Sequence, residues 1–291
     1  MTRVSSVPPQ RSDVLRAVVL VLIGATGIQI SAALSATLFA SLGIFTVSSL
    51  RMLLGAIILL ILVRPRLRRS RSEWLGIVIY GTTMAAMNVS IYAAIERIPL
   101  GVAVTIEFLG PCAVALAASR RVREALIALM ALLGVAVLSL GSGGDIDPLG
   151  IVFALLAAVC FGGYTVFAAR VGKAASGLDG VALSVTVSAA LTFPMGVGGY
   201  HLVQPSQWGL LLIVAVIGVA IPFSADTMAA RYTSARVVGT LFAIDPAMAA
   251  LAGFLVLGQT MTVTGIIGLA LVSISGAMLV GGAPRRSAAE E

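Results

Sequence analysis

Of the 291 residues 59% are hydrophobic and 11% charged, and a mean hydropathy of +1.08 excludes a globule held in water. A net charge of +7 could suggest a nucleic-acid binder, but 17 of the 19 basic residues fall at the termini or in alternate joints between apolar runs, the pattern that orients membrane helices. Those runs are near 20 residues long, enough to cross a hydrocarbon core of about 30 Å as helices, and they lack the alternation of a barrel.

In chain order the predicted membrane cores are 15–39, 44–63, 74–95, 100–118, 124–141, 149–170, 181–200, 208–230, 236–257 and 262–281. Arg3, Arg11 and Arg16 precede the first. Arg64, Arg66, Arg68, Arg69 and Arg71 follow the second, and Arg120, Arg121 and Arg123 the fourth. Arg170 with Lys173, Arg231 with Arg236, and Arg285 with Arg286 continue the alternation, whereas the opposite joints hold Arg97 with Glu96, Asp145 and Asp147. Both termini are therefore expected to be cytoplasmic. Cys112 and Cys160 lie inside spans and read as small apolar filler, and His201 reads as a solvated joint residue, so no metal site or nucleophilic triad is indicated.

A shift of 135 residues lays the chain on itself. Gly27 falls on Gly162, Ser49 on Ser184, Ala85 on Ala220, Ala94 on Ala229, Val102 on Val237, Thr105 on Thr240, Pro111 on Pro246, Ala115 on Ala250 and Ala117 on Ala252. The shared register also argues that the first run is a true span and not a cleaved leader. Five spans per copy require the second copy to enter the membrane upside down. The predicted fold is an all-α membrane protein of ten helices in two inverted five-helix repeats, residues 1–141 and 149–291, joined by an outer linker at 142–148. In such folds the site sits near the midplane, and rocking of one half against the other opens it to alternate sides.

Charged residues inside apolar spans are costly to insert and mark protein interiors or water-filled cavities. Arg51, Glu107 and Asp245 are such residues. At a rise of about 1.5 Å per residue, Arg51 and Glu107 lie about 10 Å from the outer ends of their spans and Asp245 about 13 Å from the inner end of its own, so they could meet as a site or as a structural ion pair. Asp226, five residues before Arg231, reads as an interfacial salt-bridging residue. Gln29, Tyr80, Asn88, Tyr92 and Tyr164 could line a solute path or bond helix to helix. Pro111, Pro246 and Pro222 are expected to break helices, Pro111 freeing the carbonyl of Glu107 and Pro246 that of Phe242. Gly265 and Gly268 read as close helix contacts.

The segments LRMLLGAIIL from Leu50, YGTTMAAMN from Tyr80, PLGVAVTIEFLGPCAVAL from Pro99 and GTLFAIDPAMAALAGFLVLGQTMT from Gly239 resemble the EamA branch of the drug/metabolite transporter superfamily, more narrowly its threonine and homoserine exporters. Where that family usually carries Glu before the proline of the last segment and again after its LG, this chain has Asp245 and Gln259. The resemblance implies an inner-membrane exporter of small amphipathic metabolites that draws on the proton gradient. Its expected partners are a small solute, protons and the lipid bilayer, with no cofactor or metal, and a homodimer stays open. On this reading Arg51 faces the carboxylate of a zwitterionic amino acid, and Glu107 or Asp245 faces its ammonium or exchanges a proton. The alternatives are a transporter of neutral, aromatic, sugar or drug-like solutes and, more remotely, an intramembrane enzyme built on the buried carboxylates.

Overall fold

The computed structural model describes residues 11–117, 122–140, 147–174, 178–232 and 242–282, and among these every regular element is helical. The linker residues 142–146 lie outside the described residues, as do Arg3, Arg120, Arg121, Asp145, Arg236, Val237, Thr240, Arg285 and Arg286. The first half holds α1 (Arg11–Ala36), a short α2 (Phe39–Leu42), α3 (Ile44–Val63), α4 (Arg71–Ile95), α5 (Leu100–Glu107), α6 (Leu109–Ala117) and α7 (Val122–Leu140). The second holds α8 (Pro148–Ala174), α9 (Leu178–Gly196), α10 (Pro205–Ala215), α11 (Ile221–Tyr232), α12 (Asp245–Leu257) and α13 (Val263–Gly282). Among the described residues six stretches are long and apolar enough to cross a membrane: Leu15–Ala36, Ile44–Val63, Arg71–Ile95, Pro148–Phe167, Leu178–Leu202 and Pro205–Asp226. Shorter apolar helices cover Leu100–Val114, Leu129–Leu138, Phe242–Leu257 and Val263–Met278.

The prolines explain where the helices deviate. The run 100–118 is interrupted at Phe108 because Pro111 has no N–H for the Glu107 carbonyl, and the next donor, Cys112 N–H, reaches the Phe108 carbonyl only at 3.5 Å. Pro222 follows a π turn, Val216–Ala220, in which Ile221 N–H reaches back five residues to Val216. That leaves the Ile217 carbonyl without its usual donor, and it lies against Gly27 of α1, where any Cβ would collide with it. Pro246 differs from expectation. It sits in the first turn of α12, after a 3-10 turn at Phe242–Ile244, where a missing N–H leaves no bond unmade, so over the described residues it begins a helix and does not kink one.

Most of the packing runs between the halves. α3 lies on α9, α5 on α12 and α7 on α13, while α4 packs on α8 and α1 on α11. Contact is close where residues are small: Gly134 of α7 faces Gly268 of α13, and Gly110 of α6 meets the Ala158 carbonyl of α8. Outward-facing Ile61, Leu62, Leu132, Val159 and Leu255 stay exposed, the apolar belt a lipid environment requires. A Cβ at Gly110 would overlap the Ala158 carbonyl, whereas Gly209 of α10 faces open space. Gly110→Ala is therefore expected to destabilise the fold by about 1–3 kcal/mol and Gly209→Ala to leave it unchanged, measured as the fraction surviving a heat step before size-exclusion chromatography.

Outside the bundle's middle, polar joints tie the halves together. Gly258, at φ 64, ends α12 by turning the chain so that its N–H and that of Gln259 both reach the Gly253 carbonyl. The Gln259 side chain then accepts from Leu100 N–H at 3.1 Å and caps the start of α5. Gln259 thus has a capping role where the resembled family carries a charge. Across the same side, Arg97 pairs with Glu96 at 2.7 Å and with Asp147 at 3.6 Å. On the opposite side, Ser70 and Glu73 form a capping box on α4, and Arg69 joins Asp179 of α9 at 2.7 Å.

Candidate functional site

A cavity of about 70 Å³ lies between α1, α3, α4, α5, α8, α11 and α12. On the measure by which one water needs about 10–15 Å³, it has room for several waters or a small polar solute. Of the residues singled out from sequence, Gln29, Arg51, Asn88, Tyr92, Glu107, Tyr164 and Asp245 meet on its wall. Tyr80 stands behind Tyr164, its ring 5.0 Å away, and extends an aromatic side formed with Phe161 and Phe223. The prolines act through the backbone: Pro111 lies just past the break that leaves Glu107 at the end of α5, Pro246 stands in the first turn of the helix that Asp245 opens, and Pro222 follows the π turn beside α1.

Arg51, 5% exposed, forms no salt bridge among the described residues. It is held by hydroxyls. Its Nη1 donates to Tyr92 Oη at 2.5 Å and Ser31 Oγ at 3.5 Å, Tyr92 donates on to Ser35 at 2.8 Å, and Ser31 to the Val214 carbonyl at 2.8 Å. The guanidinium also lies 5.1 Å from the centre of the Tyr92 ring. This network fixes the cation without neutralising it, and its Nε has no hydrogen-bond partner. An ion pair that merely joins helices is therefore not what Arg51 makes here; it presents a buried, oriented donor.

The acceptors are similarly unspent. Glu107 closes α5 at 8% exposure, and Asp245 opens α12 at 7% with its Oδ1 unpartnered. Asn88 donates its Nδ2 to Ser48 on α3, leaving its Oδ1 buried and unpartnered, and the Oε1 of Gln29 is in the same state. Asp226 departs from the interfacial role expected of it. It lines the cavity, its Oδ1 buried without a partner and directed at the Gly24 face of α1, while the Arg231 side chain lies outside the described residues. Sequence reading also missed Ser31, Ser35 and Ser48. Ser31 and Ser35, four apart, form a polar stripe on an apolar helix, a signal that was present but is shared with ordinary helix contacts.

One buried cation, three carboxylates and a cavity inside a bundle with a lipid-facing surface describe a membrane transport protein. Residues 148–281 match the EamA-like transporter family. The chain is 36% identical over 267 residues to the threonine/homoserine exporter RhtA of Salmonella typhimurium (strain LT2), covering 90% of each chain. It is 35% identical over 260 residues to the threonine/homoserine exporter RhtA of Escherichia coli (strain K12), covering 88% of each. A solved crystal structure shares the fold at a TM-score of 0.64 and 23% identity, over 90% of this chain and 96% of the other. The chain belongs to the EamA-like transporter family, a family of multi-pass membrane transporters and not of enzymes.

Proposed function

We propose that this protein exports a small zwitterionic amino acid, of the threonine or homoserine kind, across the bacterial inner membrane by proton-coupled alternating access. One observation carries the reading: the wall of one cavity holds both Arg51, whose buried Nε has no hydrogen-bond partner, and Asp245, whose buried Oδ1 has none, the two complements a zwitterion needs. The relatives' names point the same way. Glu107 and Asp245, each at a helix end on the cavity wall, are the groups assigned to proton exchange.

The architecture assigned to this activity is ten spans in two inverted repeats, 1–141 and 149–291, joined at 142–148. Two observations support it. Shifted by 135 residues, the break at Phe108 lands on Ala243 in the 3-10 turn. The principal helix pairs also survive exchange of the halves: α3 with α9, α5 with α12 and α7 with α13 map onto themselves, and α4 with α8 maps onto α1 with the α10 to α11 span. With both termini cytoplasmic, cysteines introduced at Ser70 and Ser287 are expected to react with a membrane-impermeant maleimide from inside, and one at Ser142 from outside. Labelling of positions 70 and 142 from the same side would reject the inversion.

Counterflow in proteoliposomes tests the function. Labelled threonine or homoserine should accumulate against the unlabelled amino acid and respond to an imposed pH gradient. Exchange of a neutral sugar in place of both amino acids would replace this reading with that of a neutral-solute carrier.

A further inference from the structure

The cavity leaves acceptors without donors, and one of them is rigidly set. Asn88, 2% exposed, lines the wall and donates its Nδ2 to Ser48. That bond fixes the amide plane, because the carbonyl end of the same planar group must then point away from the anchor. Its Oδ1 has no partner. Gln29 Oε1 is also unpartnered, but its side chain has one more rotatable bond and, among the described residues, no hydrogen bond anchoring it. A buried acceptor left unmade raises the free energy of the empty site, and a donor arriving with the solute removes that penalty.

The two ends of a zwitterion do not supply this donor. A carboxylate only accepts, which suits the Nε of Arg51, and an ammonium is drawn to the charged oxygens of Glu107 and Asp245 in preference to a neutral amide. What remains for Asn88 is a third polar group on the solute, one that donates. Resting on the amino-acid export reading, we infer that Asn88 is a specificity-determining residue that reads a side-chain hydroxyl of the transported amino acid, its Oδ1 accepting the solute O–H while Ser48 holds the amide in place. Discrimination of this kind is steep by nature. A site that presents a fixed acceptor rejects the analogue lacking the hydroxyl, since the acceptor then stays buried and unpaired.

The test uses 2-aminobutyrate, the deoxy parent of both threonine and homoserine, as competitor of labelled-threonine counterflow by the full-length protein in liposomes. In the wild type, 2-aminobutyrate is expected to need a concentration about tenfold or more higher than threonine or homoserine for half-inhibition. Asn88→Leu keeps the volume and removes the acceptor. It should bring the three competitors to within about threefold of one another, by weakening threonine and strengthening 2-aminobutyrate. Ser48→Ala leaves Asn88 in place but frees the amide to turn, so it should narrow the gap partway, and it carries the test if Asn88→Leu does not insert. Equal competition by 2-aminobutyrate and threonine in the wild type overturns the role of Asn88 while amino-acid export stands. Discrimination that survives undiminished in the variants that insert also overturns it. Failure of all three amino acids to exchange removes the export reading and this inference with it.

Discussion

Glu107→Gln is expected to lower transport driven by an imposed pH gradient by about tenfold or more, the scale of a coupling free energy between two sites, while leaving insertion and thermal survival intact. Glu107 is the last residue of α5, 8% exposed, on the cavity wall beside the break at Phe108. The amide keeps the shape of the carboxylate and removes only its titration. If Glu107 is where proton and solute ammonium compete, the variant should still exchange threonine for threonine in counterflow, since exchange needs no net proton movement. Asp245→Asn should act in the same direction but less severely. The measurement is initial uptake with and without the gradient across a range of pH. Full gradient-driven transport with an unchanged pH profile in both variants would reject the coupling role of these two groups and leave Asp226, the third carboxylate on the wall, as the group to replace.

Arg51→Lys is the second large effect. Arg51 lies on the cavity wall, is fixed through Nη1 by Tyr92 and Ser31 and keeps an unpartnered Nε, so its planar fork retains donors for a carboxylate. Lysine keeps the charge but offers a compact ammonium on a flexible stem, and it loses the fixed hydrogen bond to Tyr92. Loss of a charge-assisted hydrogen bond amounts to about 1.5–3 kcal/mol, so the half-saturation concentration for threonine should rise by about tenfold or more. Folded yield should change little. Tyr92→Phe tests the same geometry from the other side: it retains the ring under the guanidinium and deletes the hydroxyl that accepts from Nη1, so affinity should fall while the charge stays. An unchanged half-saturation concentration in Arg51→Lys would mean that the guanidinium does not meet the solute.

Much of the site was legible because of what a membrane excludes. Hydrocarbon makes every charge within an apolar run conspicuous, which is why Arg51, Glu107 and Asp245 stood out, and the paired prolines 135 residues apart marked the segments that carry the two carboxylates. Asp226 was misjudged because depth along a helix does not reveal the face it presents. Its closeness to Arg231 in sequence suggested a surface pair, while packing of α11 on α1 turned it toward the cavity. Pro246 was read as a helix break because a missing N–H predicts disruption wherever a helix continues past it, and over the described residues it lies in the first turn of α12, behind a 3-10 turn.

The sequence by itself determined the solvent, the helical class and the residues with chemistry to offer, because each of these follows from local composition and from the length of an apolar run. Tertiary structure decided which of those residues have their polar groups satisfied. The Arg51 network joins positions 20 and 41 residues apart, the Ser31 bond reaches 183 residues along the chain, and the Asn88 anchor spans 40. Such partnerships depend on which helix faces are brought together, and in this chain the principal packing joins one half to the other. The same packing leaves the Nε of Arg51 and the oxygens of Asn88 and Asp245 without partners, since a cavity wall withholds from them the neighbours that a filled core would supply.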